Sequence, residues 1–84
     1  MLNQAVLVGK VDTIEVKDEA LEVVLIIEDE RIPVTFTGSL ADKINTYITK
    51  GVTLGIKAKV VTNNGALTLL VDKATFISPP KENE

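Results

Sequence analysis

The chain has 84 residues, neither cysteine nor histidine, and a formal net charge of −3 at pH 7. This length suits one domain with a modest core, since such a chain buries only about 60–65% of its unfolded surface. The missing residue types exclude a disulfide framework, a zinc–thiolate site and the usual general base. The acidic balance argues against strong general affinity for nucleic acid, because strong binders usually carry a basic excess.

The N-terminus carries no basic segment ahead of its first apolar run, so it does not have the pattern of a signal peptide. The longest apolar stretch, Val23 to Ile27, is far shorter than the roughly 20 residues of a membrane span. We therefore expect a soluble, cytoplasmic chain that makes no contact with a membrane.

Residues 4–16 predict a first strand that bends near Gly9. Leu7 and Val11 share its core face, whereas Val6 and Val8 lie on the other face. Both faces are apolar over this stretch, so we expect the second one to meet something other than water.

Residues 21–28 alternate as a second strand, with Leu21, Val23, Leu25 and Ile27 on the core face. Val24 and Ile26 point the other way and join Val6 and Val8 as candidate residues of an oligomer interface. A turn at Asp29-Glu30 leads into a third strand, Ile32 to Thr37, in which Phe36 faces inward. Pro33 cannot donate to a strand ladder, which predicts an edge or a bulge there.

Residues 39–50 predict the one helix, with Ser39 as its N-cap and Gly51 at its left-handed end. Its apolar stripe is predicted to consist of Leu40, Ile44, Tyr47 and Ile48. A fourth strand follows from Val52 to Val61, and Asn64-Gly65 marks a tight hairpin.

The last strand is predicted from Ala66 to about Ile77, with a bulge near Asp72-Lys73. We assign residues 1–78 to one domain and residues 79–84 to a disordered tail. Five strands with a helix between the third and the fourth indicate an all-β OB-fold barrel. An open antiparallel sheet with one packed helix is the alternative, but closure would hide edges that so short a chain cannot otherwise cover.

Three motifs resemble bacterial single-stranded DNA-binding proteins. The first is the opening strand from Met1 to Val11. The second is the helix from Gly38 to Ile44 with the Tyr47, Lys50 and Gly51 that follow it. The third is the closing strand from Asp72 to Ile77. The resemblance implies an OB fold that binds single-stranded DNA without sequence preference and assembles into a homodimer or homotetramer. It also implies roles in replication, recombination or repair, and a first strand that contributes to a subunit interface.

The chain departs from this family in three ways. Thr37 stands where the family has an outward aromatic residue, the loops between strands two and three and between four and five are short, and the acidic, phenylalanine-ended tip that recruits partners is missing. Partner recruitment through a C-terminal peptide is therefore not expected here.

Single-strand binding needs cations for phosphates and aromatic faces for bases. The candidate nucleic-acid-binding residues are Lys10, Lys17, Arg31, Thr35, Thr37, Lys57, Lys59 and Lys73. Lys57 and Lys59 lie two residues apart on one strand, so they share a face at a spacing of roughly 6.6 Å. For a lysine taken singly, a solubilising charge on the exposed face is the favoured interpretation, whereas for the Lys57–Lys59 pair both interpretations stay open. The aromatic residues Phe36, Tyr47 and Phe76 are expected in the core, which leaves few stacking platforms.

Enzymatic functions are poorly supported, because the sequence contains no phosphate-binding loop and no dinucleotide motif. The acidic turn at Asp29-Glu30 lacks the ligand spacing of a calcium loop, so no cofactor and no metal are expected. Two functions remain open. The chain is a small single-stranded DNA-binding protein, or it is an OB-fold interaction module that has lost most of its DNA affinity.

Overall fold

The computed structural model describes residues 1–78, which form five strands and one helix. In chain order these are β1 Ala5–Lys17, β2 Ala20–Ile27, β3 Glu30–Thr37, α1 Gly38–Tyr47, β4 Thr53–Asn63 and β5 Ala66–Ser78. The strands close in the order β1-β2-β3-β5-β4, with β4 pairing back onto β1. This confirms the predicted five-stranded OB barrel with its helix between the third and fourth strands, and the open sheet is wrong. The predicted tail, residues 79–84, lies outside the described residues.

The core fills the inside of the barrel with aliphatic side chains and one fully buried aromatic ring. Phe36 is fully buried, as its place in the alternation of β3 predicts. The predicted inward faces of β2 and β3 are confirmed, and α1 adds Ala41 and Ile44. The fully buried large side chains are Phe36, Leu21, Leu25, Leu54, Val11, Val23 and Val34. No helix within residues 1–78 is long and apolar enough to cross a membrane.

Strand β1 changes partners along its length, because its first half pairs with β4 and its second half with β2. The register shift lies between Val11 and Thr13, three residues beyond the bend predicted at Gly9. Gly9 has a different role there. A Cβ atom on it would lie 2.6 Å from the Ile27 Cγ1 atom and 2.9 Å from the Ile26 carbonyl oxygen. Only glycine therefore allows β1 to cross the end of β2 this closely.

The helix differs from the prediction at both ends. Its N-cap residue is Thr37, which makes no side-chain hydrogen bond, so the predicted cap at Ser39 is wrong. The helix ends at Tyr47 because Ile48 has extended backbone angles, φ −77° and ψ 138°. That change of direction places Ile48 in the core and leaves Tyr47 59% exposed, so the predicted burial of Tyr47 is also wrong. Gly51, with φ +95°, belongs to the following turn and not to the helix end.

The remaining connections are tight turns. The turn between β2 and β3 is formed by Glu28 and Asp29, one residue earlier than predicted, with Glu28 at φ 60°. The predicted Asn64-Gly65 hairpin is confirmed, with both residues at positive φ. Pro33 pairs with β2 alone, since β3 meets β5 only at Thr35, which confirms its predicted edge-like position.

Candidate nucleic-acid interface

The outward face of β4 and β5 places two lysines directly opposite each other. Lys57 on β4 pairs with Lys73 on β5, and on its other side Lys57 pairs with Val6 of β1. The Cα atoms of such antiparallel partners lie about 4.5–5.5 Å apart. This register depends on the predicted bulge in β5, which is confirmed. Asp72 is skipped, so that Ala58 pairs with Val71 while Lys57 pairs with Lys73.

Lys59 extends this pair along β4. It lies two residues beyond Lys57 on the same face, at a spacing of roughly 6.6 Å. Across the strands, Lys59 pairs with Leu70 of β5, and Leu70 pairs with Thr35 of β3. We call Lys57, Lys59 and Lys73 the basic strip. Its three ammonium groups approach no carboxylate of residues 1–78 within 4.0 Å, so their charges are unneutralised by that part of the chain.

Two other predicted cations are neutralised within the fold. The Arg31 guanidinium forms an ion pair with the Asp12 carboxylate. The Lys17 ammonium lies 3.0 Å from a Glu22 oxygen and 3.9 Å from a Glu15 oxygen. The hydrogen bond to Glu22, together with the negative charge of both glutamates, raises the pKa of Lys17 above its ordinary value. These two cations are therefore less available to a polyanion than the basic strip.

The other predicted contact residues are spread over the surface. Lys10 lies on the outward face between Ile26 and Thr53, four residues along β1 from Val6, or roughly 13 Å from the row of the basic strip. Thr35 is half-buried and shares a row with Lys59 through Leu70.

Thr37 is separated from the basic strip by its surroundings. It lines an open groove of about 690 Å³ between the β1–β2 hairpin and α1. The groove is also lined by Asp18, Glu19 and Asp42, and by Lys17, whose charge is neutralised by its two glutamate partners. A phosphate approaching Thr37 would be repelled by the carboxylates of the groove. The geometry therefore favours Thr35 over Thr37 as a residue that contacts bound DNA.

The aromatic residues do not form a stacking platform beside the basic strip. Phe36 is fully buried, and Phe76 is half-buried opposite Leu54 inside the barrel. Tyr47 is exposed at the end of α1, an element that is in contact with β2 and β3. The side chains flanking the strip are instead aliphatic or hydroxyl-bearing, with Leu70 between Lys59 and Thr35.

Exposed apolar side chains adjoin the basic strip. Val6 and Val8 are 68% and 52% exposed on the outward face, as the sequence predicts. Ile77 of β5, which the sequence analysis did not select, is 56% exposed and approaches Val8 across Gly55. We call Val6, Val8 and Ile77 the apolar patch. The only signal of this contact in the sequence was Gly55, because a glycine opposite Val8 lets the side chains of neighbouring strands approach each other.

The other two predicted interface residues are less accessible. Val24 and Ile26 do point outward, because they pair with Pro33 and Arg31 of β3, but both are half-buried. Lys10 lies directly opposite Ile26. The apolar patch is thus centred on β1 and β5 and not on β1 and β2.

Comparisons with known proteins identify the fold. No protein-family model and no curated protein matches this chain. Among solved structures, a chain of the S. pombe Stn1–Ten1 complex has 11% identity and a TM-score of 0.78, covering 90% of this chain and 59% of that one. The S. cerevisiae mitochondrial single-stranded DNA binding protein Rim1 has 13% identity and a TM-score of 0.77, covering 95% of this chain and 100% of that one. At these identities the likeness shows an OB fold.

Proposed function

We propose that this chain binds single-stranded DNA without sequence preference, through the basic strip. The observation that carries this proposal is the pairing of Lys57 directly opposite Lys73. Like charges in that position destabilise a sheet. A polyanion laid across the two strands would remove this repulsion, and Lys59 would bind a further phosphate along β4. The similarity to Rim1, a mitochondrial single-stranded DNA binding protein, supports the same function.

The missing aromatic platforms define the kind of binding that we propose. A stacked base contributes about 1–3 kcal/mol, and the face around the basic strip offers no ring for it. Backbone electrostatics therefore supply most of the affinity, which makes binding moderate and steeply salt-dependent. Leu70 and Thr35 provide an apolar contact for a base and a hydroxyl for sugar or phosphate. The chain acts by binding and not by catalysis, with no cofactor or metal.

We further propose that a second copy of the chain covers the apolar patch, giving a homodimer or homotetramer. Val6 pairs with Lys57, so the apolar patch and the basic strip are neighbours on one face. Assembly through β1 would bring the basic strips of two copies near each other. Single-stranded DNA could then contact both strips. Such an assembly fits the bacterial single-stranded DNA-binding family, with roles in replication, recombination or repair in the cytoplasm.

Two double variants with the same change in net charge test the binding site. Lys57→Glu with Lys59→Glu removes most of the basic strip, whereas Lys43→Glu with Lys50→Glu alters exposed cations on α1 and the turn after it. In a fluorescence-anisotropy titration with labelled oligo-dT, the first pair should abolish most binding and the second should leave it nearly unchanged. Equal losses in both would show that only net charge matters and would contradict a site on β4 and β5.

One observation favours the alternative, an OB-fold interaction module with little DNA affinity. The outward face combines exposed aliphatic side chains with no exposed aromatic ring beside the basic strip, in a chain of net charge −3. In that case the wild-type chain would form its oligomer, and Val8→Asp would dissociate it, but oligo-dT would not bind at low salt. Light scattering and the same titration separate the two functions.

A further inference from the structure

The β4–β5 hairpin extends past the barrel as an uncovered arm. Strand β1 accompanies β4 only from Thr53 to Ala58, and β5 meets β3 only at Leu70. Beyond these points and within residues 1–78, β4 and β5 pair only with each other, up to Asn63 opposite Ala66. The Asn3 side chain covers the other edge of β4 at one place, bonding the Val60 N–H and carbonyl groups at 2.8 Å each. We call residues 60–68 the arm, because Leu69, the next residue along β5, packs against the barrel core.

The composition of the arm is unusual for a projecting hairpin. Residues 60–71 contain no charged side chain, although 25% of the chain is charged. Leu67 is 77% exposed, and Val60, on the same face, is 38% exposed. Proteins normally protect a free strand edge with lysine, proline or a bulge, and within the arm none of these is present. A two-stranded hairpin is also only marginally stable by itself. Both observations indicate that the arm, which is uncovered within one copy of the chain, is a docking surface for another molecule.

We propose that the occupant is the arm of a second copy, paired edge to edge along the β5 strand. Among residues 1–78, Ala66, Leu67 and Thr68 have a ladder partner on one side only, so their other edge offers backbone groups for a further strand. Two identical arms related by a two-fold axis satisfy each other in an antiparallel pair, giving one four-stranded sheet. The charge pattern selects this partner. Two copies of a chain of net charge −3 repel each other, and the uncharged arm, like the apolar patch, adds nothing to that repulsion where they touch. Phosphates find no cation there.

The contact is separate from the apolar patch and does not depend on DNA binding. It involves a few main-chain hydrogen bonds and the two Leu67 side chains, well below the roughly 1,000 Å² of a stable interface. It is therefore a weak and transient contact. A covalent trap detects such a contact better than an equilibrium measurement of mass.

The absence of cysteine from the chain allows a clean cross-linking test. Single variants Ala66→Cys, Leu67→Cys and Thr68→Cys are oxidised with copper–phenanthroline, with Asn45→Cys on the exposed surface of α1 as the control. The proposal predicts disulfide-linked dimers at one or more arm positions and few at the control. Their yield should not change between low and moderate salt, because the contact is uncharged.

Adding Leu67→Lys to the best-linked Ala66→Cys or Thr68→Cys variant tests whether the arm surface itself causes pairing. Since Leu67 is exposed, the substitution should leave the fold intact by circular dichroism. It should reduce the cross-linked fraction about ten-fold, corresponding to the loss of a leucine contact. Thr49→Lys in the same cysteine background is the charge-matched control. Arm positions that cross-link no more than Asn45→Cys, or cross-links that survive Leu67→Lys, would overturn the proposal. So would binding to phosphatidylcholine vesicles that requires Leu67 in the absence of arm cross-links.

Discussion

The opposed lysines of the basic strip make stability and DNA binding change in opposite directions in one variant. Lys73→Glu places a carboxylate opposite Lys57 and replaces a repulsive cross-strand pair with an attractive one. Cross-strand charge pairs contribute about 0.2–1 kcal/mol each, so reversing the sign should stabilise the fold by about 1 kcal/mol. For a domain of this size, that corresponds to a rise in Tm of about 4–8 °C.

The same substitution should weaken binding to single-stranded DNA. It removes one of the three cations of the basic strip and neutralises a second, which leaves Lys59 as the unpaired one. On single strands each phosphate contact contributes about −0.7 to the slope of log affinity against log salt concentration. The slope should therefore become shallower, changing from about −2 to about −0.7. Thermal unfolding by circular dichroism and oligo-dT titrations at several salt concentrations measure the two effects.

Lys43→Glu is the matched control, because it makes the same change in net charge on the exposed side of α1. It should move neither Tm nor the slope appreciably. A lower Tm for Lys73→Glu would show that the two lysines do not repel each other across the strands. A slope unchanged from wild type would place the DNA away from β5 and refute the reasoning.

Three further predictions follow from single contacts. Gly9→Ala should destabilise the fold by roughly 1–3 kcal/mol, because its Cβ would overlap β2. Gly55→Ala should cost less in urea unfolding, because its nearest neighbour is the flexible end of Ile77 at 3.3 Å and the Val8 Cγ2 atom lies at 3.7 Å. Glu22→Gln should return the pKa of Lys17 towards its ordinary value, measured by NMR titration of the side chain. Because folding raises the pKa of Lys17, its interactions with Glu15 and Glu22 stabilise the fold fully below pH 10.5. This stabilisation is lost as the pH rises through the raised pKa of Lys17. Leu70→Trp should add a stacking surface between Lys59 and Thr35, tightening oligo-dT binding about ten-fold with quenched fluorescence.

The sequence predicted the strands well because each has a repeating physical signal. Alternation along β2 and β3 assigns Val23 and Phe36 to the core, and both are fully buried. The Asn64-Gly65 turn is also a local signal, since both residues tolerate positive φ.

The helix end was less predictable, because the apolar stripe that includes Tyr47 and Ile48 runs past Tyr47, the last residue of the helix. Only the packing of Ile48 into the barrel decides which of the two is buried.

The candidate site depends on the register between strands, which the alternation within a single strand does not encode. Lys57 and Lys73 were both candidates, but their opposition follows from the one-residue bulge at Asp72. Without that bulge the alternation would change face and Lys73 would not lie opposite Lys57. The pairing of Arg31 with Asp12, by contrast, joins β3 and β1, two strands that are not consecutive in the chain. Because Asp12 neutralises Arg31, fewer cations are available to bind phosphates than the sequence suggested.

The most direct test of the central claim is the salt dependence of oligo-dT binding by the wild-type chain. Fluorescence anisotropy of a labelled oligonucleotide, measured from low to moderate salt, gives the slope of log affinity against log salt concentration. Three unpaired lysines of the basic strip predict saturable binding at low salt and a slope of about −2 per subunit. No binding at the lowest salt, or an affinity that does not change with salt, would contradict a DNA-binding surface built on Lys57, Lys59 and Lys73.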